Sequence, residues 1–218
     1  MKYIKIFSVM GVILIYAFFV LGCLSTQQSQ TTVDNNFLGD FDPIKLESIM
    51  AWYPSFGKEK PKELSLYFVP RTNTVEIYYR DDLNRVVLIL PYSQRQALLQ
   101  ASMQFAQDIQ NDVLQENRKP TKKNAYSTSF CGVGWGVTGV ARYTNKALLE
   151  FNYKYLDDKR PYFMLKAHSS PDNEDSSVYS PVLFLYFSPS QLESLQMILN
   201  QEHLQSFVDE LNKKAYQY

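Results

Sequence analysis

The sequence predicts an α+β fold: antiparallel sheets from two similar strand-rich units, each ending in a long helix packed on the sheet. Aromatic residues make up 15% of the chain, with 16 Tyr and 14 Phe against 2 Trp, and such residues favour strands. The second observation is a repeated order of elements. An apolar, strand-like run followed by Pro and Ser precedes an amphipathic segment twice, in residues 86–117 and 181–214.

The first segment of the folded region, residues 37–53, fits either a helix or a strand. Asp42 and Pro43 suit an N-cap and a first helical position. Apolar side chains then recur at helical spacing, at Leu46, Ile49, Met50 and Tyr53. A strand interpretation of this segment also stays open.

Three strands and a helix complete the first unit. Residues 64–69 and 75–80 are predicted strands, and 86–90 form the continuous aliphatic run of a covered strand. Residues 75–80 alternate as in a half-solvated strand, with one face formed by Val75, Ile77 and Tyr79 and the other by Glu76, Tyr78 and Arg80. A helix is predicted over 94–117, with an apolar stripe formed by Leu98, Ala101, Phe105, Ile109 and Val113.

The second unit repeats this plan. Its predicted strands are residues 127–140, 147–155, 162–168 and 181–187, and its helix is 191–214, with a break near 200–202. This order of elements is similar to that of the Whirly, PC4 and PUR folds. The resemblance covers element order alone, without motif residues, so it does not imply their nucleic-acid binding.

The N-terminal segment has the pattern of a signal peptide. Lys2 and Lys5 form a positive region, and residues 6–21 are almost wholly apolar. An uncleaved transmembrane anchor and ordinary secretion are the alternatives, since about 20 apolar residues can span a bilayer.

A four-residue motif favours lipidation over those alternatives. Val20-Leu21-Gly22-Cys23 resembles the signal of bacterial lipoproteins, with an aliphatic residue three positions before the cysteine and a small residue directly before it. The resemblance implies a signal peptide over 1–22 and a mature chain that starts at an acylated Cys23. Leu24, rather than Asp, follows the cysteine, which implies the outer membrane, with the domain facing the periplasm or the cell surface.

The remaining chain is expected to contain a tether and one domain. Residues 23–36 form a lipidated N-terminus and a polar linker, too poor in apolar residues to fold. Residues 37–218 form a single globular domain with similar halves at about 37–118 and 124–218. The attachment partner is membrane lipid, through the acyl chains on Cys23.

Charge excludes a nucleic-acid partner. The chain has 22 basic and 22 acidic residues, and loss of Lys2 and Lys5 with the leader makes the mature chain slightly acidic. Nucleic-acid binders normally need a basic excess to contact phosphates. An envelope protein or a glycan is the expected binding partner.

Alternating glycines are the one unusual local feature. Gly132, Gly134 and Gly136 share one face of a predicted strand. Bare backbone there lets a helix or an aromatic side chain approach closely, or lets the sheet coil sharply. A phosphate loop is not favoured, because no helix follows the glycines directly. Trp135, on the opposite face, is a candidate to line a ligand groove, with core packing as its alternative.

No catalytic, cofactor or metal motif is evident. Cys131 has no disulfide partner once Cys23 is acylated, and a buried free thiol is expected. The two histidines, His168 and His203, lack metal-ligand spacing with it. The acidic segment 172–175 lacks the glycine and the distal glutamate of an EF-hand calcium loop.

Aromatic strands give the remaining indication of function. Tyr153 and Tyr155 lie on one face of a predicted strand, where tyrosines either bind sugars and peptides or pair across the sheet. We therefore expect a membrane-anchored envelope lipoprotein that acts as a non-enzymatic binding or structural module. The alternative is an envelope hydrolase that uses Cys131 or an acidic pair.

Overall fold

A computed structural model describes residues 37–55, 58–81 and 83–215. The predicted signal peptide, the lipidation site and the predicted tether lie outside the described residues. Among the described helices, none is long and apolar enough to cross a membrane.

The described chain contains nine strands and three α-helices. The strands are β1 (Ile44–Lys45), β2 (Ile49–Ser55), β3 (Lys58–Val69), β4 (Thr74–Asp81), β5 (Asn84–Leu90), β6 (Ser127–Gly136), β7 (Arg142–Tyr155), β8 (Pro161–Ala167) and β9 (Leu183–Phe187). The helices are α1 (Tyr92–Gln110), α2 (Pro189–Leu199) and α3 (Gln201–Ala215). Two 3-10 turns, Pro70–Thr72 and Lys122–Asn124, join elements.

Eight of the strands form a closed antiparallel barrel. Their order around the ring is β3-β2-β9-β8-β7-β6-β5-β4, and β4 also pairs with β3. β1 pairs with the end of β3 beyond β2, through Ile44 opposite Phe68. The ring is closed by the pairing of its first strand, β2, with its last strand, β9, where Trp52 lies opposite Tyr186.

The prediction of two strand-rich units, each ending in a helix packed on its own sheet, is therefore wrong. β5 pairs directly with β6, so the predicted halves share one continuous sheet. The predicted strands exist, but alternation reveals only which face of a strand is buried, and leaves open which strand lies beside it. Residues 49–55 of the ambiguous first segment form a strand.

The barrel interior is filled by side chains, as expected for eight strands. Every barrel strand contributes buried apolar residues to one core, which also includes apolar residues of all three helices. Phe105 of α1 shows the contact: its ring centre lies 5.7 Å from that of Phe163 in β8 and 6.3 Å from that of Tyr153 in β7. The helices therefore cover the same core that the barrel encloses.

A buried arginine joins the helices to the barrel. Arg95 of α1 is fully buried, and its guanidinium donates to the carbonyl oxygen of Asn73 at 3.0 Å and to that of Leu199 at 3.3 Å. It also donates to the side-chain oxygens of Asn73 and Gln201. Burial lowers the pKa of Arg95 to about 10, so it stays charged at neutral pH. One side chain thus ties α1 to the β3–β4 turn and to the α2–α3 junction.

The end of α1 differs from the prediction, whereas the break between α2 and α3 agrees with it. α1 ends at Gln110 rather than near 117, and Asp112, just beyond it, has a left-handed φ of 51°. The closing helical region breaks at Asn200, which confirms the predicted break. Ser188 caps α2, since its hydroxyl accepts a hydrogen bond from the backbone N–H of Gln191.

Candidate functional site

The three predicted ligand-binding residues lie at the core rather than on an open surface. Trp135 is 7% exposed and Tyr153 is 2% exposed, and both belong to the main core. Tyr155 is half-buried and packs against it. The hydroxyl of Tyr153 accepts a hydrogen bond from the backbone N–H of Gln115 at 3.0 Å, and the guanidinium of Arg118 covers its ring. Trp135 and Tyr153 thus pack within the core, and Tyr155 packs against it.

Cys131 is placed where its thiol is unreactive. It is 2% exposed inside the barrel, and its Sγ donates to the carbonyl oxygen of Ala147 at 3.6 Å. Burial raises the pKa of the thiol to about 12. The imidazoles are engaged elsewhere, since His168 Nε2 lies 2.9 Å from an oxygen of Glu150 and His203 packs on Phe207. Cys131 therefore lacks the thiolate that a nucleophile needs.

We expect native Cys131 to resist alkylation. Iodoacetamide attacks the thiolate, and burial disfavours that form at pH 8. Intact mass after treatment of the folded protein should show no adduct at Cys131, whereas treatment in denaturant should add one. Rapid labelling of the folded protein at Cys131 would contradict this placement.

Outside the barrel, the glycine face of β6 accommodates side chains from the following hairpin. A Cβ on Gly132 would lie 2.8 Å from the hydroxyl of Tyr143, and one on Gly134 would lie 2.6 Å from a methyl of Val140. The predicted close approach of an aromatic side chain is thus confirmed. Tyr143 and Val140 reach back across β6 towards β5, since Ile89 also lies 3.0 Å from the position of a Cβ on Gly132.

An open groove lies on the outer face of β3 and β4. It encloses about 660 Å³, within the range of about 300–1,000 Å³ typical of small-ligand sites. We call it the tyrosine groove, and its lining residues are Pro43, Glu63, Ser65, Tyr67, Glu76, Tyr78, Tyr79, Arg80 and Arg85. Strand pairing assembles it, because Ser65 lies opposite Tyr78 and Tyr67 opposite Glu76.

Two tyrosines and a glutamate form the centre of the tyrosine groove. The rings of Tyr67 and Tyr78 meet edge to face, with centres 5.5 Å apart and planes at 85°. The Tyr78 hydroxyl donates to Glu76 Oε2 at 2.7 Å. Burial and this hydrogen bond raise the pKa of Tyr78. Tyr78 therefore remains a hydrogen-bond donor at physiological pH, and its bond holds the Glu76 carboxylate in place.

Both signs of charge surround these tyrosines. Glu63 is exposed at one side, and Arg80 and Arg85 are exposed and lie directly opposite each other on β4 and β5. Like charges in such a pair are unfavourable by themselves. The groove thus presents guanidinium donors beside carboxylate acceptors without a large excess of either charge.

A second cleft of about 740 Å³ lies along α2 and the start of α3, with Glu47, Met197 and His203 among its lining residues. None of its lining residues in the described part of the chain is Tyr, Phe or Trp, so it offers less to hold a ligand by contact with large aromatic rings. Within residues 37–55, 58–81 and 83–215, no three His, Cys, Asp or Glu side chains are grouped to hold a metal ion.

The acidic segment 172–175 is held by its own backbone. Asp172 Oδ1 accepts hydrogen bonds from the backbone N–H groups of Glu174 and Asp175, and Oδ2 accepts one from Tyr143. These bonds, led by that from Glu174, lower the pKa of Asp172. Its carboxylate therefore shapes the loop.

The sequence predicted that three residues of the tyrosine groove share one face of a strand, but it predicted no groove. The alternation in 75–80 put Glu76, Tyr78 and Arg80 on one face, and the structure places them on the outside. The sequence signal for this part of the groove is a tyrosine, Tyr78, that shares its face of the strand with the charged residues Glu76 and Arg80. Tyr67 was missed, because its position beside Tyr78 depends on the pairing of β3 with β4.

Comparisons with known proteins give a family without a described activity. A family model described as an uncharacterised Treponema protein matches residues 23–206. A curated relative from Treponema pallidum (strain Nichols), described as an uncharacterized protein, is 23% identical over 194 residues, covering 88% of this chain and 68% of the relative. No solved structure matches the chain. Because the family model spans most of the 218 residues, the chain belongs to this family of uncharacterised Treponema proteins.

Proposed function

We propose that the protein is a membrane-anchored lipoprotein of the bacterial envelope that binds a ligand in the tyrosine groove without transforming it. The acyl chains on Cys23 attach it to the membrane, most favourably the outer membrane, and the barrel faces the periplasm or the cell surface. The observation that carries the binding function is the groove itself, an open outer surface where two tyrosines, carboxylates and guanidinium groups converge.

The form of the barrel supports binding at its outer surface. Its interior is occupied by packed side chains, so a ligand has to be held outside the ring. The groove residues project from adjacent strands of a closed sheet, and strands position side chains more firmly than loops do.

The alternative of a hydrolase that uses Cys131 finds no supporting observation. The thiol is buried, its pKa is raised, and its polar contact is a backbone carbonyl. In the acidic segment, Asp172 accepts hydrogen bonds from three backbone N–H groups, which ties its carboxylate to a structural role. Binding is therefore the function favoured by the geometry.

Anchoring is tested by the mass of the mature protein. We expect wild-type protein recovered from membranes to begin at Cys23 and to carry diacylglycerol and a fatty acyl chain. The Cys23→Ala variant should lose this mass and should keep its leader or become soluble. Globomycin, which inhibits signal peptidase II, should make the wild-type precursor accumulate.

The matched control is Cys131→Ala, which removes the other cysteine of the chain and should leave processing unchanged. Retention of Met1 on wild-type protein, with no acyl mass at Cys23, would overturn the lipoprotein proposal and leave an ordinary membrane anchor. Cleavage without acylation would instead indicate ordinary secretion.

A further inference from the structure

We propose that the tyrosine groove binds an uncharged oligosaccharide. This inference rests on the proposed function and names the chemical class of its ligand. Three observations support it: the arrangement of the aromatic rings, the mixture of hydrogen-bonding groups, and the closure of the sheet beneath them.

The ring arrangement suits a sugar. Aromatic faces carry partial negative charge and attract the weakly positive C–H groups on the flat side of a sugar ring. Tyr67 and Tyr78 stand nearly perpendicular, with an interplanar angle of 85°. A sugar ring can therefore stack on the face of one tyrosine while the other tyrosine limits its position from the side.

The polar groups match hydroxyls. Carboxylates only accept hydrogen bonds and guanidinium groups only donate them, whereas a hydroxyl does both. Glu63 and Glu76 supply acceptors, and Arg80 and Arg85 supply donors, in one groove. Neighbouring hydroxyls of a sugar can bond to both kinds of group at once. With two acidic and two basic side chains, the groove has no charge excess to select an anion or a cation.

The closed sheet makes an extended peptide a poorer fit. Peptides that bind to sheets usually add a strand at a free edge, through backbone hydrogen bonds. Beside the two tyrosines, Tyr67 of β3 lies between Lys45 of β1 and Glu76 of β4, and Tyr78 of β4 lies between Ser65 of β3 and Val87 of β5. Both tyrosines therefore lie where the sheet is paired on each side, so recognition at the two rings depends on side chains, as it does for glycans.

The test is ligand-observed saturation-transfer NMR on full-length protein, purified from membranes in a detergent without a sugar headgroup. The probes are two uncharged trisaccharides, chitotriose and maltotriose, and an anionic heparin tetrasaccharide. We expect saturation transfer to the ring C–H protons of at least one uncharged trisaccharide. Affinity from titration should fall about tenfold in Tyr67→Ala, which removes the ring contact. A similar loss, also about tenfold, is expected in Glu76→Gln, which removes a charged acceptor.

Matched variants separate binding from folding. Tyr179→Ala removes an exposed tyrosine that does not line the groove and should leave the signal unchanged. Glu76→Gln preserves side-chain shape, so a loss of binding at an unchanged melting temperature reports on recognition rather than stability.

Each other outcome overturns the inference. If neither trisaccharide gives a signal, or if the signal survives both groove variants, the groove does not bind uncharged sugars. If the heparin tetrasaccharide gives the stronger groove-dependent signal, the groove is an anion site. The intact mass of the same preparation distinguishes the two proposals. If Cys23 is acylated but no oligosaccharide gives a signal, the glycan proposal fails and the lipoprotein proposal stands. Failure of the anchoring proposal shows instead as an unmodified chain.

Discussion

Replacing Arg95 with Ala is expected to lower the free energy of unfolding by about 3–5 kcal/mol, from lost packing and from buried carbonyls left without donors. Arg95 is fully buried and bonds to the carbonyl oxygens of Asn73 and Leu199. Urea denaturation followed by far-ultraviolet circular dichroism measures the change. A chain of this size should lose about 10 °C in melting temperature.

Two further variants show what the Arg95 result means. Arg71→Ala breaks an ion pair with Asp40 whose side chains are 64% and 69% exposed, and such surface pairs contribute only about 0–1 kcal/mol. Arg95→Met keeps much of the side-chain volume but removes the hydrogen-bond donors. Its effect on stability therefore separates the contribution of the hydrogen bonds from that of packing. If Arg95→Ala were no more harmful than Arg71→Ala, the guanidinium would not hold these elements together.

Replacing Gly136 with Ala is expected to destabilise the protein by about 3 kcal/mol, the upper part of the range for overpacked sites. A Cβ on Gly136 would collide with the carbonyl oxygen of Gly139 and lie 3.1 Å from the backbone nitrogen of Ala141. Both contacts are backbone atoms, which cannot rotate away. The β6–β7 turn would have to move, and with it the hydrogen bond from Ala141 to the carbonyl of Trp135.

The matched control lies three residues along the same turn. A Cβ on Gly139 meets no described atom within 4 Å, and its φ lies outside the left-handed range. Gly139→Ala should therefore be neutral, or stabilising by about 0.4–1 kcal/mol through the unfolded chain. Thermal unfolding of both variants gives the comparison, and equal melting temperatures would contradict the steric argument.

Local patterns recovered most elements but not their arrangement. The alternation at 75–80 and the aliphatic run at 86–90 correspond to β4 and β5. The first half of β3, residues 58–63, was missed because Lys, Glu and Pro are poor strand formers, and it is a strand through its pairing with β2. Pairing with β2 outweighed the low strand propensity of these residues, and no local sequence pattern reveals which strands pair.

The candidate site shows the same limit. Outward placement of Tyr78 followed from period-two alternation, whereas the approach of Tyr67 to within 5.5 Å required the register of β3 against β4. Trp135 and Tyr153 are aromatic residues on predicted strands, and alternation does not tell which face of each strand is buried. In the structure both side chains are buried.

The pairing of β2 with β9 has a consequence for the order in which the barrel assembles. From β2 to β9, each strand pairs with the next one along the chain, so these contacts can form in sequence at modest entropic cost. The contact at Trp52 and Tyr186 instead joins opposite ends of the ring. Because it joins strands that are far apart in the sequence, we expect this seam to be the last part of the ring to close during folding.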